Sequence, residues 1–334
     1  MIIYSEIHYH IILFKTQYKF IISVLKESKQ IELAVIIPEG TNVTREQIKL
    51  REKIFVQRQL LDELNEKSLN NQSNDHSSFK WDQEIIQFIE DLGVNRYGFS
   101  SLLKEFTYEN NRINPIEKVA IVLVVPMNYE RMQSVPSIES ATEIHRIYHK
   151  TGEFVLKLTR FLREKGIQAT GHHPLGNIND YHQILMPPHA MYAGLGEKGR
   201  TGLFIDHKYG PIVRLGIVTT SLKLNCGSPK DRGINAFCHR CRYCVPHCPP
   251  RALPPDKYLE SLRDNKPIKF TIDGDKCIKY FAKYFGCGKC IVKCVLTQPN
   301  EFEFEKRLKR IEIWYHKWVK SGELLEMQTQ QLTS

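Results

Sequence analysis

The sequence predicts a mixed α/β domain that is followed by a small cysteine-rich domain. The first observation is the continuous apolar run over Val119–Pro126, which is typical of a strand covered on both faces. The second is a long helical pattern over residues 137–165, which is followed by a strand pattern over 167–171. The third is the clustering of eight of the nine cysteines between residues 238 and 294.

A strand, a helix and a second strand form the centre of the predicted α/β domain. This spacing favours a βαβ unit, in which the two strands are parallel neighbours. A helix over 81–93 and a short strand over 96–99 precede the unit, and a further helix is predicted over 44–68. Sheets of this class bind ligands beyond their strand ends, where the loop over 171–182 is expected to lie.

Length and composition support this division. A chain of 334 residues with 42% hydrophobic residues can bury at least one substantial core, and its length suggests about two domains. A strand-like apolar run covers 31–38, and the polar stretch over 69–78 is typical of a linker. We therefore expect an N-terminal region of unassigned role over 1–75, the α/β domain over 76–225, the cysteine-rich domain over 226–300, and a C-terminal helix and tail over 301–334.

The cysteines fall into two groups with a characteristic spacing. The first group has the pattern C-x2-C-x2-C-x3-C-P, and the second has one separate cysteine followed by C-x2-C-x3-C. In two-cluster ferredoxins the first three thiolates of such a run bind one 4Fe–4S cluster, and the fourth binds the other cluster. The spacing therefore predicts two 4Fe–4S clusters with crossed ligation. The first would be held by Cys238, Cys241, Cys244 and Cys294, and the second by Cys248, Cys277, Cys287 and Cys290.

Zinc and disulfides are the other interpretations of these cysteines. Paired C-x2-C units also form zinc sites, but two such pairs satisfy zinc and leave the third cysteine and the C-x3-C-P unit unexplained. Cys226 has no partner in either group, which favours a free thiol.

Positive charge is concentrated around the cysteines. Residues 198–294 contain 19 lysines and arginines against seven acidic residues, a net charge of +12, while the whole chain carries +10. Such a surface would attract an acidic electron donor such as a flavodoxin or a ferredoxin, or the phosphates of a cofactor or RNA. Alternatively, the basic residues compensate the negative charge of the clusters.

The N-terminal sequence favours a cytoplasmic protein. The apolar stretch over 11–25 is interrupted by lysines, and no run approaches the roughly 20 apolar residues that span a bilayer. We therefore predict no transmembrane segment and no export signal.

A glycine-rich segment over 193–216, AGLGEKGRTGLFIDHKYGPIVRLG, is the second informative motif. Glycines permit close backbone approach, so the segment is expected to lie against a large flat or anionic ligand, or against another strand. Its spacing is neither the dinucleotide fingerprint nor a P-loop. The glycines concerned are Gly194, Gly196, Gly199, Gly202 and Gly210.

These motifs, in this order, resemble the cobalamin-dependent reductive dehalogenases. The resemblance rests on AGLGEKGR, on YGPIVRLG, on the two cysteine runs, and on PMNYERMQSVPS followed by a helix that contains Tyr148. It covers roughly residues 80–300. Epoxyqueuosine reductase, a tRNA-modifying enzyme, is a near relative with the same cobalamin domain and two clusters.

The resemblance implies a fold and its cofactors. A nitroreductase-like domain would hold base-off cobalamin, and a bacterial-ferredoxin-like domain would carry the two 4Fe–4S clusters. The glycine loop, including Arg200, would grip the corrin. No lower axial histidine is needed, so His172, His173 and His182 are expected to be polar loop residues.

The resemblance also implies catalytic residues. Tyr148 matches the tyrosine that protonates the substrate, and Arg214 matches its basic partner, because a nearby cation favours phenolate and eases proton donation. The motif asparagine is Asn177 or Asn179. Asp180 lies thirteen residues ahead of Ala193, as the general acid of the epoxyqueuosine reductases does.

Three hypotheses follow for the function. The first is a corrinoid-dependent reductase that acts on a small organohalide or similar molecule. The second is an epoxyqueuosine reductase that acts on tRNA, although Glu197 stands where the GLGWxGK motif of those enzymes has Trp, and Arg200 stands where it has Lys. The third is a non-catalytic electron-transfer or corrinoid-handling protein. Val295 after the last cysteine departs from the usual proline.

Overall fold

The computed structural model describes residues 44–67, 78–108, 111, 113–178, 183–253 and 272–320. The predicted strand over 31–38 and the predicted linker, apart from Ser78, lie outside these residues. The helices are α1 (Arg45–Glu66), α2 (Ser78–Asp91), α3 (Tyr129–Gln133), α4 (Ile138–Glu164), α5 (Met186–Tyr192), α6 (Ile234–Cys241), α7 (Gly274–Lys283), α8 (Lys289–Val292) and α9 (Glu301–Lys320). The strands are β1 (Tyr97–Ser101), β2 (Val119–Pro126), β3 (Ala169–His172), β4 (Gly196–Lys198), β5 (Phe204–Asp206) and β6 (Val213–Thr220).

The main sheet has the order β1-β2-β6-β3, and each neighbouring pair is antiparallel. The prediction that β2 and β3 are parallel neighbours is therefore wrong. They run in the same direction and are joined by α4, but β6 lies between them as in a split βαβ unit. The apolar run of β2 indicates that both faces of the strand are covered, but it does not indicate the direction of the neighbouring strands.

The two faces of the sheet contribute to two separate parts of the core. Ile121, Leu123 and Val125 of β2 belong to the cluster that contains the apolar residues of α4. The alternating residues of β2 pack instead with Met186 and Ala190 of α5. This alternation follows from the period of two in a strand. The site elements therefore lie on both sides of one rigid sheet.

Helix α1 is part of the same core as the sheet. It begins at a capping box, in which the Thr44 hydroxyl accepts from Gln47 N and the Gln47 side chain accepts from Thr44 N. Leu61 is fully buried within the main apolar cluster. The predicted helix over 44–68 is confirmed, and it covers the helical face of the sheet together with α4.

A second layer connects the sheet to the cysteine-rich segment. Strands β4 and β5 form an antiparallel hairpin on the opposite face from α4. Ile205 of this hairpin packs with Ile234 of α6 and with Phe304 and Leu308 of α9. The C-terminal helix therefore holds the hairpin against the first cysteine helix. Among the described helices, none is long and apolar enough to cross a membrane.

We expect Leu61→Ala to destabilise the protein by about 2–5 kcal/mol, because it removes buried methyl groups and leaves a cavity. The matched substitution Leu60→Ala changes the neighbouring leucine, which is 37% exposed, and is expected to cost less than about 1 kcal/mol. Urea denaturation of the two variants checks the difference. Equal losses of stability would show that α1 is not part of the core.

Candidate functional site

The first cysteine group lies between α6, the turn after it and the end of α8. Cys238 and Cys241 are on α6, and the chain then turns through Arg242, whose φ of 47° is left-handed. Burial raises the pKa of the Cys238 thiol, and the thiols of Cys294, Cys241 and Cys244 raise it further. The structure thus brings together the four cysteines that were predicted to share a cluster.

The second group lies between the turn that contains Cys248, helix α7 and helix α8. Burial raises the pKa of the Cys290 thiol to about 12, with further increases from the thiols of Cys277 and Cys287. Burial likewise raises the pKa of the Cys277 thiol to about 11, and the nearby thiols of Cys248 and Cys287 raise it further. Cys248 therefore lies with the second group. Cys226 packs against the main core, where its thiol contacts Leu224 O.

The donor set suits iron–sulfur clusters. Buried thiols with raised pKa values are costly to ionise alone, whereas cluster iron binds and stabilises thiolates. Backbone N–H groups already point at sulfur, including Ala252 N to Cys248 Sγ at 3.3 Å. Among the described residues, no three His, Cys, Asp or Glu side chains are placed to hold one metal ion. A cubane offers a separate iron to each thiolate, so its ligands need not converge on one point.

A buried carboxylate fixes the helix that carries Cys238 and Cys241. Glu197 of β4 is 7% exposed, and its Oε1 accepts from Arg232 N at 2.8 Å and His207 Nε2 at 3.0 Å. Its Oε2 accepts from Ile234 N and Asn235 N in the first turn of α6. A carboxylate at a helix N-terminus satisfies the free amides and complements the helix dipole. The hairpin thereby positions the first cysteine group.

Arg200 lies beside the first cysteine group. Its backbone N–H donates to the Cys238 sulfur, and its guanidinium lowers the pKa of Cys244 against the larger effect of burial. The side chain is 3% exposed. Arg200, predicted to grip the corrin, also lines a pocket with Cys238, Cys241 and Cys294.

The glycine-rich segment packs against other parts of the chain. A Cβ on Gly196 would lie closer than 3.0 Å to Ile205 O of the paired strand, and one on Gly210 equally close to Leu296 O. Gly194 has a φ of +74° and faces Ser228 O, while Gly199 faces the Ile205 side chain. Gly202 turns with a φ of 78°. Protein atoms account for the glycines at these four packed positions, which is the strand-packing interpretation of the motif.

Tyr148 and Arg214 are in contact. Tyr148 lies on α4 and Arg214 on β6, opposite Val125, and the guanidinium carbon is 4.9 Å from the centre of the tyrosine ring. Small residues permit this approach, since a Cβ on Gly216 would meet Val155 and Thr151 of α4. Both side chains are partly exposed. The Arg214 cation thus stacks on the ring of Tyr148, whose phenol group was predicted to donate a proton.

Two further polar side chains complete this site. Arg51 of α1 is 8% exposed and His145 of α4 is 4% exposed. Burial lowers the pKa of His145 to about 4, and the positive charges of Arg51 and Arg214 lower it as well. We call Arg51, His145, Tyr148 and Arg214 the α1–α4 polar cluster. Its four members come from three elements that are far apart in the sequence.

Asn177 has a structural position in the loop after β3. Its Oδ1 accepts from His173 N at 3.1 Å, and its Nδ2 donates to Gly171 O at 3.3 Å. His172 Nε2 lies 3.0 Å from Thr219 Oγ1, on the sheet. The predicted candidates Asn179, Asp180 and His182 lie outside the described residues.

Helix α1 holds this loop in place. Arg58 donates to Gly176 O at 2.7 Å and to Asn177 O at 2.9 Å, and Asp62 accepts from Ile178 N. Asn65 bonds to both backbone groups of Gly171. These residues of α1, and Arg51, belong to no motif in the sequence, so no role was predicted for them. The available signal was a row of polar residues at helical spacing in a segment with a capping box.

The comparisons with known proteins agree with the resemblance indicated by the motifs. The chain is 33% identical over 187 residues to a tetrachloroethene reductive dehalogenase of Desulfitobacterium hafniense, which covers 53% of this chain and 32% of the relative. An epoxyqueuosine reductase of Francisella cf. novicida is 28% identical over 176 residues, which covers 48% of this chain and 46% of the relative. These relatives are oxidoreductases. No protein-family model matches the chain.

The fold has a counterpart among solved structures. The catabolic reductive dehalogenase NpRdhA, in complex with 3-bromo-4-hydroxybenzoic acid, superposes with a TM-score of 0.65 at 19% identity. The match covers 83% of this chain and 41% of that one. The mixed helix and sheet fold is therefore confirmed. The chain spans about a third of the length of the curated dehalogenases that it matches.

We expect Glu197→Gln to destabilise the protein by about 1–3 kcal/mol, because an amide nitrogen cannot accept from the donors that the carboxylate now satisfies. The control is Glu303→Gln, which changes a carboxylate on the outside of α9. Denaturation midpoints and iron retention after anaerobic purification measure the effect. If both variants retain wild-type stability and iron, Glu197 does not fix α6.

Proposed function

We propose that the chain is the core of a corrinoid-dependent, iron–sulfur reductase of the reductive dehalogenase type. Electrons would pass through two 4Fe–4S clusters to cobalamin, for reductive cleavage of a carbon–halogen or similar bond in a small molecule. The observation that carries the proposal is the attachment of two four-thiol groups to an α/β unit that contains the Tyr148–Arg214 contact. In this proposal the α/β unit is nitroreductase-like and the cysteine-rich unit ferredoxin-like.

The arrangement of the thiols suggests an order for electron transfer. The first group contacts the hairpin through Arg200 N, so its cluster would be nearer to the α/β unit. The second group would receive electrons from outside. Cys248 and Cys244 lie in one run of the chain but belong to different groups, and their thiols are close enough to interact. Crossed ligation would therefore place the two clusters side by side.

The donor in this proposal is an acidic protein such as a flavodoxin or a ferredoxin. Helix α7, which carries Cys277, presents Lys276, Lys279 and Lys283 to solvent. Ile278 and Phe281 are 38% and 42% exposed on the same helix. A basic surface with exposed apolar side chains beside the second group suits transient docking of an acidic partner.

The reaction assigns separate roles to the residues of the site. Cobalamin would supply a strongly nucleophilic reduced cobalt. Tyr148 would donate a proton to the substrate carbon as the bond to the leaving group breaks, and the Arg214 cation would stabilise the resulting phenolate. Arg200 is the residue of the glycine segment that would contribute to the corrin side, since protein atoms already lie against four of its glycines. Asn177 would orient the loop after β3.

An epoxyqueuosine reductase that acts on tRNA is the second candidate function. The observation that favours it is the position of Asp180, thirteen residues before Ala193, together with the 28% identity to a member of that group. Glu197 argues against it, since this residue here caps α6 and stands where those enzymes have tryptophan. A non-catalytic electron-transfer protein is the third, and it would bind no cobalamin.

Paired cysteine substitutions test the crossed ligation. Each 4Fe–4S cluster contains four iron atoms, so the wild-type chain is expected to hold about eight. Cys248→Ser combined with Cys277→Ser should leave about four, because both substitutions affect one cluster, whereas Cys248→Ser combined with Cys241→Ser should leave close to none. Cys226→Ser is the control and should retain all iron. The reverse order of the two double variants would contradict the crossed assignment.

Substitution of Tyr148 tests the catalytic proposal. We expect Tyr148→Phe to lower the rate of halide release by about 10²–10⁴-fold, because the phenolic proton donor is lost. The assay uses anaerobic protein loaded with cobalamin, with tetrachloroethene and 3-bromo-4-hydroxybenzoic acid as first substrates. Tyr192→Phe, on the exposed face of α5, is the control. Activity on epoxyqueuosine tRNA that is lost in Asp180→Ala but not in Tyr148→Phe would establish the second candidate instead.

A further inference from the structure

Among the described residues, the two arginines of the α1–α4 polar cluster, Arg51 and Arg214, have no carboxylate partner. In the part of the chain that the structure describes, the Nε atoms of Arg51 and Arg214 are buried and have no hydrogen-bond partner. The pKa of Arg51 is lowered by burial, with no contribution from a carboxylate. An unpaired buried charge is costly, and folded proteins normally pair it.

The acidic residue of α4 in this region is already occupied. Glu143 is 2% exposed, and its Oε1 accepts from Asn128 N at 2.7 Å. Its Oε2 accepts from Arg131 at 3.2 Å and from Arg146 at 2.6 Å. These three donors fix the carboxylate near the start of α4. Glu143 is therefore engaged elsewhere and does not neutralise Arg51 and Arg214.

His145 adds an acceptor to the two arginine donors. Its Nδ1 lies 2.6 Å from Ala141 O, and because a carbonyl can only accept, Nδ1 carries the ring proton. In the neutral ring, Nε2 is then a bare acceptor. This atom is buried and has no hydrogen-bond partner among the described residues. The cluster thus offers two charged N–H donors and one proton acceptor.

A ligand that matches this set must accept from the arginines and donate to the histidine. A carboxylic acid or a phenol does both, whereas a halide ion can only accept. We propose that Arg51, His145 and Arg214 bind a weak oxygen acid, whose oxygen accepts from the two guanidinium groups and whose proton is shared with His145 Nε2. When the proton transfers, an imidazolium and a carboxylate or phenolate result, and the total charge is unchanged.

The position of Tyr148 connects this site to the proposed reaction. The phenol ring is stacked under Arg214, so an acid bound by Arg214 lies beside the proposed proton donor. The preferred substrates would then carry a carboxyl or phenol group. That last step rests on the proposed function, whereas the binding of the acid does not.

Direct binding tests the site without turnover. The full chain, purified anaerobically without added cobalamin, is titrated calorimetrically with benzoate, phenol and bromide. We expect benzoate and phenol to bind at least about tenfold more tightly than bromide, since hydrogen bonds to charged groups are strong and bromide cannot donate to His145. Equal binding of bromide, or no binding of either acid, would overturn the proposal.

Substitution of Arg51 separates a binding role from a structural one. Arg51→Met should weaken benzoate binding about tenfold or more, and it should raise the denaturation midpoint of the ligand-free protein, because an unpaired buried charge is removed. Lys49→Met removes an exposed charge from the same helix and should change neither quantity. A lowered midpoint with unchanged benzoate binding would show that Arg51 has only a structural role.

Two further variants complete the test. His145→Leu should abolish the preference for benzoate over bromide, because the proton acceptor is lost. If Arg51→Met does not fold, Arg51→Lys keeps the charge, and its benzoate affinity should then lie between those of the wild type and Arg51→Gln. Acid binding without dehalogenation would refute the proposed function alone, and dehalogenation without acid binding would refute this inference alone.

Discussion

The buried carboxylate of Glu197 is the contact on which the relation between the sheet and the cysteines depends. It satisfies amides at the start of α6 and is itself held by His207 on the hairpin. Arg232, whose backbone N–H it accepts, extends the same connection to α9 through Glu305 and Glu312. The Glu197 side chain thus joins the hairpin directly to the start of α6, and the Arg232 side chain connects this contact to α9. Any cluster bound by Cys238 and Cys241 inherits its position from this network.

The interface between α1 and the rest of the helical face contains many polar contacts beside its apolar core. Arg58, Asp62 and Asn65 of α1 bind the backbone of the loop after β3, and Gln57 Nε2 donates to His149 O of α4. Gly152 is required at the centre of this interface, since a Cβ there would run into the His173 ring. Burial of Leu61 stabilises the packing of α1 on the sheet, and the polar contacts fix the position of α1 along α4 and the loop. A loop held at so many points is well suited to present side chains in fixed orientations.

Local patterns in the sequence predicted most of the elements. The strand over Val119–Pro126 and the helices α1, α2 and α4 were predicted within a few residues, because apolar periodicity is a local property. The antiparallel insertion of β6 between β2 and β3 was missed, since partner choice depends on residues that are far apart in the chain. The cysteine spacing predicted the two thiol groups because ligand geometry is encoded at short range.

The α1–α4 polar cluster could not be predicted as a unit, because its members come from segments that are far apart in the chain. Arg51 and His145 are separated by about 90 residues and belong to no motif, whereas Arg214, about 70 residues further on, was paired with Tyr148 only through the family resemblance. Glu197 was noted in the sequence only as a departure from a family motif, and its role as a helix cap emerges from the contact with α6. The glycine motif shows the converse case, in which an informative pattern permits both ligand binding and chain packing. Only the neighbouring atoms distinguish between these two explanations.

The position of α1 also has a consequence for biosynthesis. This helix leaves the ribosome before α4, yet its partners are far along the chain, as in the contact between Gln57 and His149 across 92 residues. Contacts of such long range close late in folding. During that interval the polar face of α1 stays hydrated, whereas Ile54 and Leu61, which are buried in the native protein, are still exposed. The same polar face that binds the loop in the native protein therefore limits the apolar surface that α1 exposes before its partners are synthesised.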